Sequence, residues 1–517
     1  MKNKTLHMIG NAHIDPVWLW RWHEGFHEAL ATFRSALERM KEDPDFTFVA
    51  SSALLYAWVE QLDPALFAEI RARVAEGRWE LAGGWWVEPD CNLPGGESFV
   101  RQALAGQRYF QAKFGRTARV GYLPDSFGHN AMLPQILKKS GCDFFVFMRP
   151  GPHEKELPGH LFWWEADDGS RVLAYRIPFT YTSWGPGLTS HIRHCAELLE
   201  NAETPLMCFY GVGNHGGGPT RENLATIHTL GEGPDFPHLI FSTPERFFDA
   251  VASENTTFPV VHDELQHHAR GCYAAHSGIK RWNRQAEHAL LAAEAWSTVT
   301  FQVTGQPYPK QALNHAWKNV LFNQFHDILA GTSLEVAYED ARHRHGEAMA
   351  IADRAHNAAV QSLAWQIRIP EEAEMRPIVI FNPHAWESHA PVEVEFWQLE
   401  DGDYVLVDEA DNPVPAQWIQ PHATIRNAQR LCFIAILPAL GYRTYRLVRS
   451  RRASISLAVD RRPVSVMAPV LENDSLRLEF DEPTGTVAQL VDKRAGVDVF
   501  SGMGIQAIVF DDLSDTV

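Results

Sequence analysis

The stretch "LHMIGNAHIDPVWLWRWHEGFH", Leu6 to His27, decides how the chain is read. Its first half is an apolar run that reads as a buried strand, ending in His13-x-Asp15 and closed by Pro16. Side chains at i and i+2 of a strand leave by the same face, so His13 and Asp15 are placed to meet one ion. By itself, His-x-Asp equally describes a packed histidine beside a capping aspartate. The second half contains His23-Glu24-x-x-His27, which matches the HExxH pattern of zinc proteases. That pattern needs both histidines on one face of a core helix. Here Gly25 stands between them, at a cost of about 1 kcal/mol of helix propensity. The stretch begins a helix rather than crossing one, and no third ligand follows at a matching spacing. We therefore read HExxH as a chance match and keep His13 and Asp15 as the candidates.

Outward from this point, "ARVGYLPD", "DFFVFMR" and "PLMCFYGVG" are further apolar strands, separated by amphipathic helical stretches. Alternation of this kind through residues 1–265 predicts a parallel sheet, either barrel or doubly wound. Residues 266–366 have long segments of helical period and read as a three-helix bundle. Residues 376–450 carry alternating strands with Gly, Pro and Asn turns and read as a small β domain. Residues 465–517 begin a larger β-sandwich that looks incomplete, since a β domain needs more strands than that length supplies.

The chain has 517 residues and a net charge of −18, which argues against a nucleic-acid or anionic-membrane partner. No run approaches the length of a membrane span, and the N-terminus lacks the apolar core of a signal peptide. Six scattered cysteines without a CxxC pair fit reduced thiols, and so a cytoplasmic protein. Seventeen tryptophans suit a cleft that stacks on sugar rings, although tryptophan also fills large cores.

Three further stretches carry candidate chemistry. "GYLPDSFGHN" places Asp125 at the carboxyl end of a strand, where parallel α/β folds build their sites. The plainer reading of Asp125 is a helix N-cap. "GNHGGGPT" places Asn214 and His215 at a similar edge. It has Pro219 where a phosphate-binding loop needs lysine, so its glycines read as a close approach of backbone to a ligand. "NQFHDILAGTS" puts His326 and Asp327 near the end of an apolar helix closed by Gly331, where a histidine also suits the helix dipole. Two histidines and two aspartates offer an N2O2 set that suits Zn2+, with Mn2+ or Co2+ as alternatives.

Together, "NAHIDPVW", "GGWWVEPDCNLPGGESFVRQ", "GYLPDSFGHN" and "NQFHDILAGTS" resemble the main motifs of glycoside hydrolase family 38, the metal-dependent α-mannosidases, in that family's order. "FNPHAWE", "LPALGYRTY" and "LENDSLRLEFDEPTGTVAQL" resemble its downstream β domains. The resemblance implies a seven-stranded β/α barrel, a three-helix bundle and β-sandwich domains. It implies one Zn2+ held by His13, Asp15, Asp125 and His326, with Asp125 also the nucleophile of a retaining double displacement. It places Trp18, Phe127, Arg149 and Asp327 at the mannose subsite of an enzyme acting on mannose-containing oligosaccharides or glycosides, and a homo-oligomer is compatible with it. Two departures stand out. The glycine loop has Asn214-His215 where family members often carry the aspartate taken as acid/base, so His215 becomes the candidate, with Asp263 or Glu264 as substitutes. The sequence also stops before the family's later strands, which implies a truncated product or fragment. Two rival readings remain: a carbohydrate-binding remnant, and a metal-dependent carbohydrate deacetylase that activates water instead of using Asp125 as nucleophile.

Overall fold

In the computed structural model, the apolar run before His13 is the central strand of a parallel sheet. The structure describes residues 4–183, 187–202, 204–253, 257–370, 375–400, 402–423, 425, 427–449, 469–473, 475–505 and 507–509. The expected last segment, 465–517, therefore lies partly outside the described residues, as does the closing "DDLSDTV". The chain divides into two units, Met1–Ala358 and Ala359–Asp515.

The strands of the first unit are β1 (Thr5–Gly10), β2 (Phe48–Ala50), β3 (Trp79–Leu81), β4 (Val120–Leu123), β5 (Phe144–Phe147), β6 (Leu161–Glu165), β7 (Arg171–Arg176), β8 (Leu206–Tyr210), β9 (His238–Ser242) and β10 (Val260–Val261). They pair as β8-β1-β9, β2-β3 and β10-β6-β7-β5-β4, all parallel except β6 against β7. The seven-stranded barrel expected from the resemblance is thus not one continuous ring of pairing. The sheets of three, two and five strands are linked outside regular pairing by a bridge from Asn11 to Val49, a hydrogen bond from the Gly83 amide to the Val120 carbonyl, and the Tyr175 hydroxyl of β7 bonded to the Met207 backbone of β8. The reason is local. β2 and β3 are three residues long, and the chain leaves regular pairing where the next segments turn toward the site.

Parallel strands are buried on both faces and read as continuous apolar runs. β4, β5 and β8 do so, with every residue buried. The last residue of β1 is glycine, Gly10, and a Cβ there would come within 2.7 Å of the Thr47 carbonyl oxygen. Of the tryptophans, Trp79, Trp85 and Trp164 are wholly buried core residues rather than sugar platforms. All six cysteines are free thiols. No helix among the described residues is long and apolar enough to cross a membrane.

The helices are α1 (Trp22–Glu42), α2 (Ala53–Leu62), α3 (Pro64–Ala75), α4 (Gly96–Phe114), α5 (Leu133–Lys139), α6 (Gly187–Asn201), α7 (Arg221–Glu232), α8 (Pro244–Ser253), α9 (Ser277–Thr304), α10 (Lys310–Asn323), α11 (His326–Ala330) and α12 (Glu335–Ala364). Three long helices therefore occupy the region read as a bundle, with the short α11 set between the second and third. The second unit has two three-stranded antiparallel sheets around one core that includes Ile378, Phe396, Leu431, Phe433 and Leu447. A separate four-stranded antiparallel sheet spans residues 470–498.

One buried group of the first unit titrates where it affects stability. Burial pushes the Glu80 carboxyl up from 4.5 to about 8, and its Oε1 has no hydrogen-bond partner. The folded chain then holds a proton that the unfolded chain has lost, so stability falls as pH rises from about 4.5 to about 8. Glu80→Gln should unfold in more urea than the wild type at pH 8, with a much smaller gap at pH 5. An equal gap at both pH values would show that Glu80 does not carry the dependence.

Candidate metal centre

The backbone after β1 stays extended. Asn214 donates its amide to the His13 carbonyl at 2.9 Å, and its own carbonyl accepts from the Asp15 amide at 2.8 Å. His13 and Asp15 consequently leave by one face, with His13 Nε2 2.7 Å from Asp15 Oδ1. Asp125 follows β4 by two residues, and the next helix, α5, starts at Leu133, so Asp125 caps no helix. Its Oδ2 lies 3.8 Å from His13 Nε2 and 3.9 Å from His326 Nε2.

His326 arrives by a route the sequence did not suggest. The expectation was one helix with His326 and Asp327 near its C-terminus. Instead α10 ends at Asn323, Phe325 is extended, and His326 opens the five-residue α11. The cause is a strand-like pairing of residues 88–90 with 324–326. Phe325 bridges Pro89, the Asp90 amide donates to the Gln324 carbonyl at 2.8 Å, and the His326 amide donates to the Glu88 carbonyl at 3.3 Å. Gly331 does close α11 in the left-handed region, φ 93°.

One ligand atom from each of His13, Asp15, Asp125 and His326 lies within 4.8 Å of the others, and all four residues are buried. Glu88 orients both rings: its Oε2 is 3.0 Å from His13 Nδ1 and its carbonyl oxygen 3.1 Å from His326 Nδ1. His13 Nδ1 and Nε2, His326 Nε2, Asp15 Oδ1 and Glu88 Oε2 are all buried without hydrogen-bond partners, so Glu88 meets His13 as an ion pair only. Buried polar atoms are rarely left so. Imidazoles whose far nitrogens are held by carboxylate and carbonyl, with their near nitrogens beside two carboxylates, fit a divalent cation.

The flanking residues divide into two groups. Arg149 grips Asp125 Oδ1 with Nε and Nη2, each at 2.7 Å, and stacks 5.7 Å above the Phe127 ring. Phe127 meets the His326 ring edge-on at 5.5 Å. Asp327 Oδ2 lies 3.6 Å from His326 Nε2, and Thr332 donates to Asp327 Oδ1. The predicted Phe127, Arg149 and Asp327 thus border the tetrad. Trp18 and His215 form a second group around Trp20, which meets Trp18 at 5.8 Å and His215 at 4.5 Å. His215 is half-buried, and its Nε2 is 2.7 Å from Glu24 Oε1. The glycine loop approaches protein rather than open ligand space: a Cβ at Gly211 would lie 2.2 Å from the Asn11 carbonyl oxygen, and one at Gly216 2.7 Å from Thr32 Oγ1.

Charge is distributed unevenly. Burial raises the Asp15 carboxyl, and burial with the nearby Asp15 and Asp125 charges holds Asp327 well above its ordinary range. Burial also pushes Asp125 up, but Arg149, His13 and His326 outweigh it and hold the group below its ordinary value. Burial alone would lower His13; the Glu88 and Asp15 carboxylates carry it well above its ordinary value. Beyond Arg149, its Nη1 reaches His268 Nε2, and His268 Nδ1 lies 2.7 Å from Glu154. These residues line a cleft of about 450 Å³.

His23 and His27 are exposed on the first turns of α1 and join no metal-competent cluster among the described residues. Gly25 between them is explained by packing: a Cβ there would lie 2.4 Å from the Pro16 carbonyl oxygen.

Comparison with known proteins assigns the family. A sequence model of the glycosyl hydrolases family 38 N-terminal domain matches residues 3–268, and one of the alpha mannosidase middle domain matches residues 267–363. The chain belongs to glycoside hydrolase family 38. As a family 38 protein it is 29% identical to human alpha-mannosidase 2C1 over 98% of this chain and 46% of that protein. It is 28% identical to alpha-mannosidase G of Dictyostelium discoideum over 98% and 48%, and 32% identical to the Saccharomyces cerevisiae alpha-mannosidase over 64% and 32%. The chain spans about half the length of the first two relatives. The crystal structure of an alpha-mannosidase from Enterococcus faecalis V583 superposes with a TM-score of 0.77 at 19% identity, covering 96% of this chain and 61% of that one, which shows a shared fold.

Sequence reasoning missed Glu88, Tyr181, His268 and Trp20 around the tetrad and its flanking groups. Glu88 had a signal, an acidic residue inside the apolar "GGWWVEPD". Tyr181, whose hydroxyl donates to Asn214 Oδ1 at 2.9 Å, had none. Glu88→Gln should weaken Zn2+ binding about 10–100-fold by calorimetry, while His23→Ala and His27→Ala keep wild-type metal content. Unchanged affinity in Glu88→Gln would remove its orienting role.

Proposed function

We propose that the chain is a retaining α-mannosidase that hydrolyses terminal α-mannosides of oligosaccharides or glycosides, with Asp125 as nucleophile. The observation that carries this reading is the division of the Asp125 carboxylate. One oxygen faces the two histidines, while the other is fixed by two donors of Arg149, so the group is aimed and cannot rotate freely. Family membership supplies the reaction class. The three sheets of the first unit are taken as arcs of one β/α barrel over residues 1–265, followed by a helical region over 266–366, β strands over 376–450 and the start of a larger β-sandwich over 465–517. The setting is taken as cytoplasmic.

His13, Asp15, Asp125 and His326 would hold one divalent cation, Zn2+ by donor type, with Mn2+ or Co2+ as alternatives. When bound, it supplies Lewis-acid polarisation and an anchor for sugar hydroxyls. The protein's own groups do the rest. Phe127, Arg149 and Asp327 line the sugar pocket, with Trp18 at its edge. The Asp125 carboxylate attacks the anomeric carbon as the bond to the leaving oxygen breaks, and a proton donor neutralises that oxygen. Water, deprotonated by the same residue, then releases mannose and frees Asp125.

His215 is our choice of proton donor. It stands in the loop after β8, one residue beyond Asn214, whose backbone is hydrogen-bonded to that of His13 and Asp15. Asp263 is a poorer choice, since Lys155 binds it at 2.6 Å and holds it below its ordinary value.

Asp125→Ala should abolish release of nitrophenol from an aryl α-mannoside. A fluorinated mannoside should leave its sugar on the peptide containing Asp125. Turnover without any trapped sugar would sink the double displacement. His215→Ala should slow substrates with poor leaving groups at least 10-fold more than activated aryl mannosides. Equal losses on both would assign the proton to another residue.

A further inference from the structure

A second cluster of ligand-type side chains lies away from the tetrad. His191 and Cys195 sit four residues apart on α6, so they share one helix face a turn apart. Cys208 lies on β8, against which α6 packs. Their ligand atoms all lie within 4.8 Å of one another. His191 is 7% exposed, and both cysteines are 0% exposed.

Two cysteines in a core need no explanation beyond packing, because a free thiol behaves as a small apolar group. The histidine does. Its Nε2 is buried without a hydrogen-bond partner, while the ring hydrogen-bonds the backbone of Phe209. A ring bonded to the backbone, with an unpartnered buried nitrogen and two thiols within 4.8 Å of one of its nitrogens, resembles the way ligating histidines are held. We propose that His191, Cys195 and Cys208 form a second cation site, for a thiophilic divalent ion of the Zn2+ type.

The charges balance. Burial pulls His191 down to about 4, so its ring is neutral and offers a lone pair. Burial pushes the Cys208 thiol up, so in the absence of a cation that sulfur keeps its proton. Binding breaks two S–H bonds, releases two protons to solvent and forms two metal–thiolate bonds. Two thiolates, one neutral imidazole and a dication sum to no net charge, which a dry core tolerates. Three side chains leave the fourth tetrahedral position to water. Entry is short, since the His191 ring packs edge-on at 6.3 Å against Phe179, which is 57% exposed at the wall of the cleft beside Arg149. Such an ion would brace α6 against β8, the strand that leads into the Asn214 loop. The tetrad contains no sulfur, so the two sites are spectroscopically separable.

The test uses the full chain, stripped of metal and kept reduced, titrated with Co2+. We expect two Co2+ per chain and a sulfur-to-cobalt charge-transfer band in the near ultraviolet. The band should persist in Asp125→Asn, which loses one equivalent, and vanish in Cys195→Ser, which loses the other. If Cys195→Ser fails to fold, Asp125→Asn still decides, because one bound Co2+ with the band supports the site. The proposal is overturned by a wild-type chain without the band or by a band that survives Cys195→Ser. It is equally overturned by a thiol count showing Cys195 and Cys208 joined as a disulfide under reducing conditions.

Discussion

The pairing of residues 88–90 with 324–326 is the contact on which the site depends. It pulls the chain out of helix after α10 and delivers His326 beside Glu88. The same residue then holds both imidazoles, His13 through its carboxylate and His326 through its carbonyl oxygen. Its other carboxylate oxygen accepts from Ser51. With each ring held on its Nδ1 side, by an ion pair for His13 and a hydrogen bond for His326, both Nε2 atoms are left beside Asp15 and Asp125.

The site concentrates acid in a buried volume. Asp15, Glu88, Asp125 and Asp327 are all buried around two histidines, with Arg149 beside Asp125. Burying carboxylates without compensation is costly. Arg149 and the raised His13 compensate part of that charge, and a divalent cation would compensate much of the rest.

Much of this was legible in the sequence, for physical reasons. His13-x-Asp15 and Asp125 lie at the ends of apolar strands, and period-two geometry with a parallel sheet fixes where such residues point. The glycine of the HExxH pattern has a packing reason that its sequence did not show: α1 starts against Pro16. What was not legible came from long-range pairing. Nothing local in "NQFHDIL" announces that the helix breaks at Phe325, because the partner strand lies in "WVEPD". The closure of a seven-stranded barrel is not displayed as regular pairing, since three-residue strands such as β2 and β3 leave it to isolated bridges. The glycine loop was read as open to ligand, whereas its neighbours are Asn11 and Thr32.

The break at Phe325 has a consequence for how this chain can be divided. Family models place a boundary near residue 267, yet one ligand of the tetrad lies beyond it, on α11. The α/β region alone could fold its strands and still present three ligands out of four, with Glu88 left orienting a single ring. The helical region is thus less a neighbour of the α/β layer than the fourth side of its buried cluster. Recombining either part with a foreign partner would have to re-create one short stretch of antiparallel pairing before any chemistry could follow.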